Sequence, residues 1–244
     1  MECKNCGHDL EGNFCTNCGQ SSKVSRVSYK YVLDEIPNSL LQINHGFFYT
    51  VKELFVRPGH TLREFMAGKR KNHYKPLAFL LITSTLYTFA KYFLDSSDVL
   101  EVDFTGEEVD IEYLQNLTVW ISENQTYGTL ISLPLFALAS YLAFIKSKHN
   151  YFEHFVLNMY IVGQQTLIQT FFLFLPSGNS TIGTLGVIIP IAFSFWVYVQ
   201  FFNQEKFFKK ILRFILMYLI LGVLFFIVLI IVLMPFILTI DVKG

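Results

Sequence analysis

With 244 residues the chain is long enough for one or two soluble domains, but 52% hydrophobic residues, 17% aromatics and a mean hydropathy of +0.42 exclude an ordinary soluble composition. The formal net charge is zero, so no global basic or acidic excess selects a partner, and the segregation of charge along the chain carries the information instead.

All four cysteines lie in the first stretch, as two CxxCG knuckles, Cys3-Lys-Asn-Cys6-Gly7 and Cys15-Thr-Asn-Cys18-Gly19. Four thiolates at that spacing match a closed, tetrahedral, structural zinc site, and each glycine lets the backbone turn so that amides point at the sulfurs. A disulfide pair suits an oxidising compartment, and a redox CxxC needs only one pair. His8 is superfluous once four sulfurs close the shell and is expected to be exposed. Residues 1–20 are too few to build a core, so this zinc ribbon takes its folding energy from the metal. Met1 is followed by a polar segment rather than a basic region and an apolar core, so no cleavable signal peptide is expected and the ribbon stays in the reducing cytoplasm. Its single Lys4 stands against Glu2, Asp9 and Glu11, which argues against nucleic acid as a partner.

Residues 21–28 read as a short flexible tether. An amphipathic helix is expected after Pro37-Asn38-Ser39, with Leu40, Phe47, Phe48, Val51, Leu54 and Phe55 on one face; it lies on the membrane surface or packs on the bundle. Arg57-Pro58-Gly59 interrupts it. Thr61 and Glu64 have the spacing of a capping box for a second short helix that Gly68 would end. Lys69, Arg70, Lys71 and Lys75 then crowd the approach to the first span, where contact with anionic lipid headgroups is the simplest role. Arg57, Arg63 and Arg70 are candidates for headgroup or loop-carboxylate contacts. Residues 21–76 thus form a tether, interfacial helices and a basic pre-membrane motif.

The paired knuckles, the run R-P-G-x-T-x-R-E-F-x-x-G-K-R from Arg57 to Arg70, and Tyr74-Lys75-Pro76 together resemble a bacterial family of zinc-ribbon membrane proteins, domain of unknown function 3667. The resemblance implies an inner-membrane protein with a cytoplasmic zinc head and brings no activity or catalytic residues with it. At the level of topology alone the chain is also similar to the Yip family of five-span membrane-trafficking proteins.

Residues 77–244 contain five apolar segments, 77–94, 127–145, 155–175, 182–202 and 214–240, each near or above the length needed to cross a bilayer as a helix. The last is long and contains Pro235, which suggests a tilt, a kink or an exposed turn. The loop 95–126 is acidic, with no lysine or arginine, whereas Lys146, Lys148, Lys206, Lys209, Lys210 and Arg213 flank the other ends. The lysine and arginine bias places the N-terminus inside and the C-terminus outside. Within the acidic loop Val109, Tyr113, Leu117 and Trp120 keep helical spacing; its carboxylates lack the ordering of a calcium loop. The fold class expected is therefore an all-α integral membrane bundle of five transmembrane helices, N-in and C-out, carrying a small four-cysteine zinc ribbon.

His154, Asn158, Gln165 and Gln169 share one face of the third segment and must look into the bundle, as interhelical bonding groups or as a polar pathway. No Asp or Glu lies deep in any span, which weakens proton-coupled transport. No nucleotide loop, HExxH helix or G-x-S-x-G elbow is present. His149, Glu153 and His154 could hold a metal or act on a headgroup, but read first as interfacial polar groups. Two functions follow: a non-enzymatic inner-membrane adaptor whose ribbon docks a cytoplasmic protein, or a channel, transporter or lipid-handling protein using the polar face. Membrane lipids are partners in either case.

Overall fold

A computed structural model describes residues 1–39, 46–94, 125–176 and 180–240. Among the described residues the chain forms eight helices and no strand beyond two isolated bridges. They are α1 (Tyr29–Ser39), α2 (Gly46–Val56), α3 (Pro58–Ala67), α4 (Pro76–Phe93), α5 (Gln125–Ala143), α6 (Tyr151–Leu173), α7 (Ser180–Phe201) and α8 (Phe207–Ile240). The expected acidic loop helix lies outside the described residues.

Local chemistry explains most boundaries. Pro58 and Pro76 stand in the first turns of α3 and α4, where a missing N–H costs nothing. Gly68 ends α3 in the left-handed region at φ 108°, and the following amide bonds Glu64 O. Asn150 and Glu153 form a capping box on α6, each side chain bonding the other's backbone N–H at 2.9 Å.

Two expectations need correction. Residues 37–39 do not start a helix; they end α1, and the amphipathic segment proper is α2. Thr61 and Glu64 form no capping box, because Pro58 already starts α3 and Thr61 lies one turn inside, buried.

Helix α6 is the centre of the bundle, packed against α4, α5 and α7, while α8 packs against α5 and α7. One continuous core runs from Val27 through Phe65, Phe79, Val156 and Tyr198 to Leu221. Gly163 allows the α4 crossing, since a Cβ there would stand 2.7 Å from the Phe79 ring. Among the described residues, three helices are long and apolar enough to cross a membrane, in the stretches Thr126–Ala143, Thr181–Phe201 and Phe207–Ile231. Over residues 207–231 helix α8 exposes most of its apolar side chains, as a lipid-facing peripheral helix would, and the helix runs to Ile240.

Helix α2 packs on the bundle along one side only. Thr50 and Leu54 are buried against the bundle, while Phe48 is 81% and Val56 63% exposed on the outer face.

Candidate metal centre and its docking on the helices

The two knuckles are the same backbone device repeated. Cys3 N bonds His8 O and Gly7 N bonds Cys3 O; twelve residues on, Cys15 N bonds Gln20 O and Gly19 N bonds Cys15 O, all at 2.8–2.9 Å. Gly7 and Gly19 sit at φ 75° and 72°, where a side chain would be strained. This brings the four sulfurs within 4.8 Å of one another, with Cys3 to Cys18 and Cys6 to Cys15 each at 3.6 Å. Ligand bonds of about 2.3 Å in a tetrahedron require sulfurs about 3.8 Å apart, so the ring fits a metal ion. All four cysteines are free. The backbone amide of Cys18 draws the Cys15 thiol down to about 6, while burial pushes the Cys18 thiol up to about 11. His8 is exposed and contributes only its carbonyl.

The ribbon is not a head on a loose tether. Gln20 is buried and spends its whole amide on the turn after α3, donating to Gly68 O at 3.0 Å and accepting from Arg70 N and Lys71 N at 3.0 and 3.1 Å. Lys4 reaches Val24 O and packs beside Gly68.

The expected flexible tether is also pinned, which corrects that expectation. Arg26 donates to both Glu153 oxygens at 2.7 and 2.9 Å and to Lys148 O at 2.6 Å, Asn150 donates to Val27 O, and Val27 is fully buried. Burial alone would raise the Glu153 carboxyl, but Arg26, His149 and the Asn150 amide hold it down at about 2. Removing the arginine would leave Glu153 to His149 and the Asn150 amide; because Arg26 is 61% exposed, the loss is that of a charged hydrogen bond, about 1.5–3 kcal/mol.

The basic pre-membrane motif turns inward. Gly59 lies against the C-terminal end of α7, where its N–H bonds the Gln200 side chain at 3.2 Å. Arg63 donates to Gln200 O and, at 3.3 Å, to Phe201 O, placing a cation on the negative end of α7. Arg57 pairs with Glu53 and Glu64, and Glu64 also takes Lys69 at 2.8 Å. Thr61 bonds back to Glu53. Arg70 donates to Ser25 O and lies over the Tyr31 ring, 4.5 Å from its centroid. Hence Arg63 and Arg70 serve backbone carbonyls, and the carboxylates met by Arg57 belong to its own helices rather than to a loop. Lys75 precedes α4 as its N-cap residue, extended, with Pro76 next.

The polar face of α6 is assembled into bonds between helices. Ser140 on α5 meets His154 Nδ1 and Asn158 Nδ2, each at 3.0 Å, and Asn158 Oδ1 accepts from Tyr198 on α7 at 3.0 Å. Further along, Gln165 donates to Pro190 O at 2.8 Å; Gln169 is half-buried. The neighbouring Gln164 is fully buried with neither amide atom bonded to a described residue. His149 bonds Glu153 at 3.2 Å and so belongs to the tether clasp.

Sequence reasoning missed Gln20, Arg26 and Glu153 as a set. The knuckle repeat marks Gln20 as the counterpart of His8, but no local signal joins Arg26 to a partner so distant in sequence.

Residues 44–88 match the model of DUF3667, a family described as protein of unknown function. The match spans α2, α3, the basic turn and most of α4, and excludes the cysteines. No curated protein and no solved structure matches the chain.

Proposed function

We propose that this protein is a non-enzymatic scaffold of the bacterial inner membrane, in which a zinc ribbon is held rigidly on the cytoplasmic face and docks a protein partner. The observation that carries the reading is the double fastening of the ribbon, by Gln20 to the turn after α3 and by Arg26 to the start of α6. A head held in one pose presents a fixed surface, which lowers the ordering cost of binding. That surface includes Phe14, a bulky apolar side chain left 65% exposed. A closed ring of four thiolates leaves no open position for catalysis by the metal, which favours zinc in a structural role.

Five crossings with the N-terminus inside fit the same arrangement. Arg26 ties the ribbon to the loop carrying Lys148, and α3 ties it to the end of α7 that precedes Lys206, so the basic loops gather at the ribbon's end of the bundle. Helices α4 and α6 would be the two further spans, α6 shielded from lipid by its neighbours. The alternative, a pathway along His154, Asn158, Gln165 and Gln169, has less support, because three of these side chains are engaged in bonds between or within helices.

The test is a photo-crosslinking residue at Phe14 in cells, alone and with Cys18→Ser. A defined protein adduct that disappears with the metal ligand is expected. An adduct unchanged by Cys18→Ser would show that docking does not depend on the folded ribbon.

A further inference from the structure

Docking the ribbon creates a cavity of about 1100 Å³ between the second knuckle and tether, α1 and the turn before α4. None of the four cysteines lines it. Its charged lining is Lys23, Lys30, Arg70, Lys71 and Lys75 against Asp34 and Glu35, a concentrated positive excess in a chain of zero net charge. Tyr31, Phe65, Tyr74 and Ala78 supply apolar wall.

Among the described residues, four of these cations, Lys23, Lys30, Arg70 and Lys71, form no ion pair with a carboxylate. Arg70 is oriented by uncharged partners, the carbonyls of Ser25 and Phe65 and the faces of Tyr31 and Phe65, which fix the guanidinium without neutralising it. Lys71 Nζ has only Gly19 O, at 3.4 Å. Glu35 accepts from Leu77 N at the start of α4.

Lys23, Lys30 and Lys71, with Arg70 held by uncharged groups, face one recess with apolar walls and outnumber its two carboxylates. They focus a field that a single ligand carboxylate would not balance, whereas a phosphate group carries enough charge and acceptor oxygens. The volume slightly exceeds the usual range of small-ligand cavities, about 300–1,000 Å³, so there is room for an organic moiety beside the phosphate.

We propose that this cavity binds a phosphate-bearing anion, the headgroup of an anionic lipid or a soluble phosphate compound, with Lys30 and Lys71 as its main charged contacts. Both lysines are exposed, so their replacement leaves the core untouched.

The full chain in phosphatidylcholine nanodiscs is titrated calorimetrically with inorganic pyrophosphate. In parallel, detergent-solubilised protein is examined by native mass spectrometry for retention of phosphatidic acid over phosphatidylcholine. The double variant Lys30→Gln with Lys71→Gln is expected to weaken whichever probe binds by about tenfold or more, and added salt to weaken it further. Lys209→Gln, on α8, is expected to leave binding unchanged. Pyrophosphate binding alone assigns the site to a soluble ligand, and phosphatidic acid retention alone assigns it to lipid. Binding of neither probe, or a double variant within twofold of the unmodified protein, overturns the proposal.

Discussion

Gly59→Ala tests the junction between the motif and the bundle. A Cβ at this position would stand 2.3 Å from Gln200 Cβ, 2.4 Å from Phe201 N and 2.5 Å from Gln200 C. Two of these atoms are backbone, so the clash cannot be relieved by a rotamer; α3 must withdraw from α7 by roughly 1 Å to regain ordinary contact. Overpacking of this kind costs about 1–3 kcal/mol. The withdrawal also stretches the Arg63 bonds to Gln200 O and Phe201 O, and a hydrogen bond to a charged group contributes about 1.5–3 kcal/mol. Against this, alanine gains about 1 kcal/mol of helix propensity over glycine. The net expectation is a loss of about 2–4 kcal/mol, which in a protein of this size lowers the apparent midpoint of thermal unfolding by about 5–15 °C. The assay is thermal unfolding of detergent-purified protein at one fixed scan rate, because membrane proteins commonly unfold irreversibly. Gly222→Ala on α8 is the control, since nothing lies within 4 Å of its Cβ, and it should hold or raise the midpoint. Equal midpoints for the two variants would refute the close approach of α3 to α7.

Gln20→Ala removes three bonds to the turn after α3 and should accelerate hydrogen exchange at residues 68–71, leaving α5 to α8 unchanged; equal exchange would mean that Gln20 is not the latch. Elemental analysis should find one zinc per chain, and a strong chelator should reproduce the Gln20→Ala exchange pattern while also opening residues 1–20 to protease. Asn158→Ala orphans the Tyr198 hydroxyl and should cost about 1–3 kcal/mol without altering the ion permeability of proteoliposomes; a new conductance would revive the pathway reading. Two carboxyls make stability depend on pH with opposite signs. Burial pushes Glu35 up to about 7 from 4.5, so the folded state binds the extra proton and stability falls as pH rises from about 4.5 to 7, then levels. Glu153, held at about 2, contributes stability above 4.5 that is lost as pH falls from there towards 2. In unfolding midpoints measured across pH, Glu35→Gln should flatten the neutral limb and Glu153→Gln the acid limb; unchanged limbs would contradict both assignments.

The legible parts of this chain were those written in short-range spacing. The four cysteines, their glycines and the Gly68 stop could be read because ligand geometry and left-handed turns act over a few residues. The same rule misplaced a capping box at Thr61 and overlooked the real one, Asn150 with Glu153, since spacing alone does not say where a helix begins when Pro58 has already started it. The tether could not be read at all. Residues 21–28 are polar and basic, which describes a flexible linker equally well; only Glu153 makes Arg26 a clasp, and that pairing is long-range.

The motif from Arg57 to Arg70 makes contacts that its place in the sequence does not announce. Its arginines precede the first apolar segment of the sequence, and headgroup contact is the default reading of a cation there. Each arginine instead meets a specific internal acceptor: Arg57 its neighbouring glutamates, Arg63 the carbonyls at the end of α7, and Arg70 the carbonyl of Ser25. Gly68 and the two residues that follow its turn are in turn what Gln20 of the second knuckle grips. The motif is therefore the joint through which the four-cysteine knuckles and α7 are tied together. The lysines beside it, Lys71 and Lys75, remain along the wall of the cavity, so the residues that fix the joint and those that supply its charge are neighbours in sequence but distinct in role.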